Sequence, residues 1–244
     1  MADIRIGTSG WSYPDWRGKF YPRGLPRDRW LAHYAQRFAT VELDATFYRW
    51  PTAAQFARWG AAVPGNFVFS VKAPRHITHI RRLRGCEEEL QKLPAAAALG
   101  ETKLGPLLYQ LPPSLTADAS VLEDLVDALP KGPAHVIEFR DDSWFCDRVF
   151  GILREHHVAL CLSDFPGAEA PRTLTSDLAY VRLHGGRRYS DKYGAAALQS
   201  WAGQLADWQQ RGTRAFVYFN NTAEGHAPEN AEQLRRILGQ VGER

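Results

Sequence analysis

Several things are scarce in this chain, and each scarcity closes off a class of protein. Cysteine occurs three times, at Cys86, Cys146 and Cys161. The number is odd, the positions are far apart and no C-x-x-C spacing exists. A disulfide framework and a cysteine-type zinc site are therefore excluded, and reduced thiols are expected. No apolar run approaches the ~20 residues that cross a bilayer, and no basic-then-apolar leader precedes the first strand. The expectation is a soluble cytoplasmic protein with no membrane partner. Metal-binding runs such as His-x-His and His-Glu-x-x-His are missing. Net charge is only +3, too small to announce a nucleic-acid binder, so local distribution has to decide. Locally there is one pronounced absence: no acidic residue occurs from Ser70 to Cys86, a stretch carrying Arg75, His76, His79, Arg81, Arg82 and Arg84.

What is present is organised around residues 135–144, His-Val-Ile-Glu-Phe-Arg-Asp-Asp-Ser-Trp. In a strand, side chains alternate faces with period two, so Val136, Glu138 and Arg140 share one face and Ile137 and Phe139 the other. One face is apolar throughout, while the other begins apolar and finishes in charge. A solvated edge strand would be polar along its whole outer face, and a purely structural buried strand would be apolar on both. The pattern fits a strand packed on helices outside and opening, at its C-terminal end, into a polar site.

The same pattern recurs at Arg5–Ser9, Thr40–Thr46, Phe67–Lys72, Leu107–Gln110, Ala159–Asp164, Tyr180–His184 and Ala215–Asn221, which with the central strand makes eight. Helix-like periodicities separate them, predicting helices over Pro26–Phe38, Thr52–Val63, from Glu87 with a kink at Pro94, Asp118–Leu129, Trp144–His156, Ala195–Gly212 and Glu229–Leu238. Alternating strands and helices imply a parallel sheet. Eight units in 244 residues predict an α/β fold, a single (β/α)8 TIM-type barrel spanning residues 1–244 as one domain. Between Phe165 and Asp177 the chain bears Pro and Gly and has room only for a stub, so the helix after strand 6 is expected to be irregular or missing. There is no internal repeat beyond the strand–helix unit and no interdomain linker.

Counting back from the strand ends predicts an inward set of Glu42, Asp44, Ser70, Lys72, Gln110, Glu138, Arg140, Asp164, Arg182, His184 and Asn220. Carboxylates and cations alternate around this ring. One reading is that they only pair with each other, since isolated buried charges are costly. Pairing also shifts pKa values, so the same ring suits chemistry. Glu138 and His184 are then the expected acid/base couple, with Asp164 beside them as a third catalytic group. Lys72, Arg140 and Arg182 are expected anion clamps, and Gln110, Asn220, Glu42 and His79 further substrate contacts. Glu42, Glu138, Asp164 and His184 offer donors for Mg²⁺ or Mn²⁺, but three cations share the ring, so neither metal nor cofactor is expected. The aromatics Trp11, Tyr13, Trp16, Tyr48, Trp50 and Trp144 fall after strands and are expected at the barrel mouth. There they either rim it for a sugar or base or simply plug it. Other signals are weak. Gly7-Thr8-Ser9-Gly10 lacks the last glycine of a nucleophile elbow, and Pro106 replaces the lysine of a P-loop.

In order along the chain, Gly7-Thr8-Ser9-Gly10-Trp11-Ser12-Tyr13, Thr46-Phe47-Tyr48-Arg49, Phe69-Ser70-Val71-Lys72-Ala73-Pro74-Arg75, Gly105-Pro106-Leu107-Leu108-Tyr109-Gln110, Glu138-Phe139-Arg140, Tyr180-Val181-Arg182-Leu183-His184-Gly185 and Phe219-Asn220-Asn221-Thr222 resemble the YecE-like family. The resemblance implies a barrel fold and a domain of unknown function, compared by shape with barrel endonucleases and sugar isomerases. Asp44 departs from it, standing where the family pattern has Asn.

Function expectations rest on the residues. The cations at the strand ends, the basic segment after strand 3 and Gly185-Gly186-Arg187-Arg188 favour an enzyme acting on a phosphate-bearing substrate, with hydrolytic or phosphodiester chemistry. Its partner would be a small phosphorylated molecule or a nucleic acid. The alternatives are a non-catalytic nucleic-acid-binding protein using the same basic face, and a metal-dependent sugar isomerase.

Overall fold

Alternation along the strands sorts the apolar side chains into two separate cores, and that division defines the molecule. The computed structural model describes residues 2–92, 98–99, 102–186 and 190–242. Its strands are β1 (Ile4–Thr8), β2 (Thr40–Leu43), β3 (Val68–Lys72), β4 (Leu104–Gln110), β5 (His135–Glu138), β6 (Ala159–Ser163), β7 (Leu178–Leu183) and β8 (Arg214–Phe219). They form one eight-stranded sheet in the order β1-β8-β7-β6-β5-β4-β3-β2, and every pairing is parallel. Val68, Leu108, Val136, Cys161, Tyr180, Phe216 and Tyr218 pack together as the barrel interior. Their neighbours one residue along, such as Phe69, Ile137, Leu160, Val181 and Val217, belong to the larger shell between strands and helices. The expected TIM-type barrel is the observed one.

Among the described residues there are seven α-helices: α1 (Trp30–Tyr34), α2 (Ala53–Ala61), α3 (Glu87–Lys92), α4 (Ala119–Asp127), α5 (Asp147–Glu155), α6 (Ala195–Gln210) and α7 (His226–Gly242). None follows β6, as the short Pro- and Gly-bearing segment predicts. In its place Thr175 accepts from the Leu160 amide at 2.8 Å and donates to the Val158 carbonyl at 2.6 Å, stitching the link to the sheet. Thr52 and Gln55 form a capping box at α2, and the Asp118 carboxylate caps α4. Helix 1 is shorter than its periodicity predicts. A 3-10 turn at Arg27–Arg29 leads in, and after Tyr34 the bonds at Gln36 and Arg37 tighten to i→i−3. Helix 5 likewise starts later, because Asp141 caps a separate 3-10 turn over Asp142–Trp144. The expected kink at Pro94 lies outside the described residues.

The ladder is complete except at the β1–β2 seam. There the barrel closes through one bridge, Ser9 opposite Glu42, with the Gly10 amide donating to the Glu42 carbonyl at 2.8 Å. Below it the Tyr34 hydroxyl stands between the strands, accepting from the Thr8 amide at 2.9 Å and donating to the Thr40 carbonyl at 3.1 Å. A side chain thus replaces a missing backbone bond. The approach here is close, since a Cβ on Gly7 would lie 2.3 Å from the Thr40 carbonyl oxygen. Tyr34→Phe keeps the buried ring but strands the Thr8 amide, so a loss of about 1–3 kcal/mol is expected in urea denaturation. An unchanged midpoint would show that the seam does not depend on this hydroxyl.

Candidate functional site

Above the apolar interior the inward positions turn polar, and one guanidinium dominates them. Arg182, on β7, is 1% exposed and lies between two fully buried glutamates. Its Nη1 donates to Glu138 Oε2 at 2.6 Å and its Nη2 to Glu42 Oε1 at 2.8 Å. Each glutamate has further donors. Glu42 accepts from Tyr180 at 2.5 Å and from Ser9 at 2.8 Å, while Glu138 accepts from Arg140 at 2.6 Å and from Ser163 at 3.1 Å. Burial pushes both carboxyls up, but the guanidiniums outweigh it and hold each pKa below the usual carboxylate range.

His184 closes this network on its other side. Arg140 Nη2 lies 3.0 Å from His184 Nε2, and a guanidinium only donates, so Nε2 is the acceptor. The proton is therefore on Nδ1, which faces Asp164 Oδ1 at 3.2 Å. Asp164 also accepts from the His184 amide at 2.6 Å and from the Tyr193 hydroxyl. Burial lowers the His184 pKa and keeps the ring neutral. Glu138 and His184, the expected acid/base couple, lie 3.7 Å apart, both contacted by Arg140 and buried beneath the cavity. Asp164 differs in position from the expected inward set. It lies one residue past β6, out of phase with the inward set, and reaches His184 from behind. The inward position belongs to Ser163, which period two counted from Cys161 would have found.

The open part of the site is a cavity of about 530 Å³ at the strand C-termini. Asp44, Lys72, Gln110, Arg182 and Asn220 line it from the strand ends, and Tyr13, Phe47, Tyr48 and His79 from the loops. The inward set therefore sits in two tiers, with Glu42, Glu138, Arg140 and His184 beneath and Lys72, Arg182, Gln110 and Asn220 on the wall. Tyr48 stands at the rim, 78% exposed. Trp11 packs edge-on against Trp59, with ring centroids 5.5 Å apart, and is not among the lining residues. Trp16 and Trp144 are fully buried, donating to the Thr222 and Leu115 carbonyls at 2.7 Å each. Most of the expected aromatic rim is a plug, because each indole buries more area against the loops than it could over water.

Lys72 is the exception to the pattern of committed charge. It is 9% exposed, yet its nearest carboxylate oxygen is Asp44 Oδ1 at 3.9 Å, beyond hydrogen-bond range. Its other close neighbour is the Phe47 ring, 4.5 Å from Nζ to centroid. Burial, with Arg182 nearby, lowers its pKa while Asp44 opposes. Asp44 in turn lies 3.5 Å from Arg182 and 3.9 Å from Lys72, beside the Glu42 carboxylate. Burial and the adjacent Glu42 charge raise its carboxyl to about 6. His79 is held in a π-helical turn over His76–Ile80, with Nδ1 2.9 Å from the Thr78 hydroxyl and its ring edge-on to Phe47. Burial and the Lys72 charge lower its pKa to about 4.

In the basic segment after β3, Arg81 and Arg84 find carboxylates from outside the segment, while Arg82 finds a backbone carbonyl. Arg84 pairs with Asp118 at 2.8 Å, Arg81 and His76 reach Glu89 at 3.7 and 3.0 Å, and Arg82 donates to the Ser114 carbonyl at 2.7 Å. Arg187 and Arg188 lie outside the described residues. Among the described residues no cluster of three or more His, Cys, Asp or Glu side chains is placed to hold a metal ion. Arg182 stands between the carboxylates that would be its donors. No helix described is long and apolar enough to cross a membrane.

Fold and site together define a TIM-type barrel with a charged network sealed beneath an open polar cavity. The chain belongs to the family described as "Protein of unknown function DUF72", which it matches over residues 5–244. It is 27% identical over 270 residues to UPF0759 protein YunF of Bacillus subtilis (strain 168), covering 96% of this chain and 94% of that one. It is 24% identical over 269 residues to UPF0759 protein YecE of Escherichia coli (strain K12), covering 98% and 95%. The crystal structure of a DUF72 family protein from Thermotoga maritima MSB8 superposes with a TM-score of 0.88 at 28% identity, covering 97% of this chain and 99% of that one. The YecE-like resemblance read from the motifs is the family found.

Removing one member of a buried charged network leaves its partners uncompensated, at about 3–5 kcal/mol. Glu138→Gln should therefore chiefly destabilise the barrel in urea denaturation, and an unaltered stability would overturn its part as a counter-ion. Because His184 is neutral in the fold and its pKa lowered, the unfolded chain binds the extra proton first. Its stabilising contribution is then full above about 6.5 and lost as pH falls below it. His184→Gln should flatten that acid limb of the stability–pH curve.

Proposed function

We propose that the protein is an enzyme acting on a small phosphate-bearing molecule held in the cavity at the strand C-termini, with hydrolysis of a phosphate ester as its reaction class. One observation carries this reading: Lys72, a residue only 9% exposed, opens onto the cavity wall, and its carboxylate neighbour Asp44 Oδ1 is 3.9 Å away, too far for a hydrogen bond. An anionic ligand in the cavity supplies the close, charge-assisted bond that Asp44 does not. Gln110 and Asn220 supply further polar groups on the same wall, and the Arg182 charge lies behind it. The loops after strands 7 and 8 are where barrels commonly take phosphate, and Asn220 and Thr222 sit there.

The nucleic-acid alternative is less well supported, since Arg81, Arg82 and Arg84 of the basic segment contact Glu89, Ser114 and Asp118 of the same chain. The sugar-isomerase alternative needs a metal where the Arg182 guanidinium lies between Glu42 and Glu138. Calorimetry with inorganic phosphate tests the proposal. Binding is expected, and Lys72→Met should weaken it roughly 10- to 100-fold, the worth of one charge-assisted hydrogen bond of ~1.5–3 kcal/mol. Binding by neither protein, or equally by both, would refute the reading.

A further inference from the structure

Four carboxylates end on or near the inward ring: Glu42, Asp44, Glu138 and Asp164. Three of them are saturated. Glu42 is bonded by Arg182, Tyr180 and Ser9, Glu138 by Arg182, Arg140 and Ser163, and Asp164 by His184 and Tyr193. Hydrogen bonds to the charged form fix a carboxylate as an ion, and none of these three lines the cavity. Asp44 does line it and keeps 26% of its side chain exposed; Arg182 reaches it at 3.5 Å and Lys72 at 3.9 Å, and the neighbouring Glu42 carboxylate favours its protonated form. It is the ring carboxyl with room to hold a proton and a path to deliver it. His79 is also on the cavity wall, joined to Lys72 through Phe47. Its Nδ1 is taken by Thr78, and the Phe47 ring packs against both His79 and Lys72.

We propose that Asp44 and His79 are the catalytic acid and base of this cavity, arranged around Lys72. The proposal rests on the phosphate-ester reading above and adds its proton chemistry. Water attacks phosphorus while the bond from phosphorus to the ester oxygen breaks. Asp44 gives its proton to that departing oxygen, and His79 takes one from the attacking water. The alcohol and inorganic phosphate leave, and the proton returns from His79 to Asp44 through solvent. Lys72 neutralises the phosphoryl oxygens throughout.

Electrostatics supports this division. The groups facing Asp44 are Glu42, which raises its pKa, and Lys72 and Arg182, which lower it; burial decides, and the carboxyl rises to about 6. The groups facing His79 are Lys72, Arg75, Arg140 and Arg82, all cations, and with burial they bring the imidazole down to about 4. The ordinary order of the two side chains is inverted, so Asp44 binds a proton before His79 does. Environments that push two titratable groups apart in this way mark acid and base assignments.

The experiment compares two probes, p-nitrophenyl phosphate, whose leaving group departs without a proton, and glycerol phosphate, whose alkoxide needs one. Asp44→Asn should reduce kcat on glycerol phosphate by about 10²–10⁴ and leave p-nitrophenyl phosphate within about tenfold. It should also abolish the loss of activity on the alkaline side that deprotonation of the acid produces. His79→Gln should slow both probes alike. Inorganic phosphate affinity should stay intact in the His79 variant, unlike in Lys72→Met. Equal losses on the two probes in Asp44→Asn would overturn the acid assignment, as would full activity. A wild-type protein that binds phosphate but cleaves neither probe would overturn this inference while leaving the binding reading standing. Failure to bind phosphate would remove both.

Discussion

The structure depends on how three buried charges are shared inside a barrel. Arg182 carries one positive charge into a space with no bulk water, and Glu42 and Glu138 flank it from strands on either side of the ring. No pair of these would be stable alone, because removing an ion from water costs several kcal/mol before any pairing returns it. The remaining oxygen positions therefore recruit Tyr180, Ser9, Ser163 and Arg140. Ser9 is also the residue whose bridge to Glu42 closes the sheet. The charged floor and the barrel seam are thus one construction, and the polar layer helps to define where β1 and β2 meet.

Commitment of charge divides scaffold from site. Arg182, Glu42, Glu138 and Asp164 have their bonding capacity largely used within the protein, and the bonds to the three carboxylates favour their charged forms. Lys72, Asp44 and His79 do not, and all three open on the cavity. Burial outweighs the long-range counter-ions of Asp44 and Lys72, and at His79 it acts together with neighbouring cations, so all three pKa values move toward the neutral forms. Chemistry at neutral pH needs groups of this kind, able to gain or lose a proton.

The basic segment after β3 has a mechanical part in this. Arg82 and Leu83 adopt positive φ, at 50° and 69°, and Leu83 is buried beneath. A non-glycine residue holds that conformation only when its surroundings over-determine it. Here Arg82 is tied to Ser114 and Arg84 to Asp118, which fasten the loop after β3 to the loop after β4. The π-helical turn that carries His79 lies directly upstream, so these arginines hold the imidazole at the cavity wall.

Much of this was legible in the amino-acid order. Period two in segments such as Val136 to Arg140 marks one face as interior and the other as helix-covered, and eight such segments of similar length leave few folds to choose from. The same count places Lys72, Arg182, Glu42, Glu138 and His184 at the strand ends, because a strand dictates where its own side chains point. At β6 it goes one residue astray, taking Asp164 as inward where the position belongs to Ser163, because the count begins from the polar end and not from Cys161. What the order of residues does not contain is distance between segments. That Arg182 reaches both Glu42 and Glu138, leaving Lys72 without a bonded partner, follows from the radius of the closed barrel and the reach of one long side chain. Whether an arginine-rich stretch faces a ligand or meets Asp118 and Glu89 depends likewise on how α3 and the loop before α4 are brought beside it. Periodicity is a local property of the backbone, whereas the pairing of charges is settled only when the eight strands close into one ring.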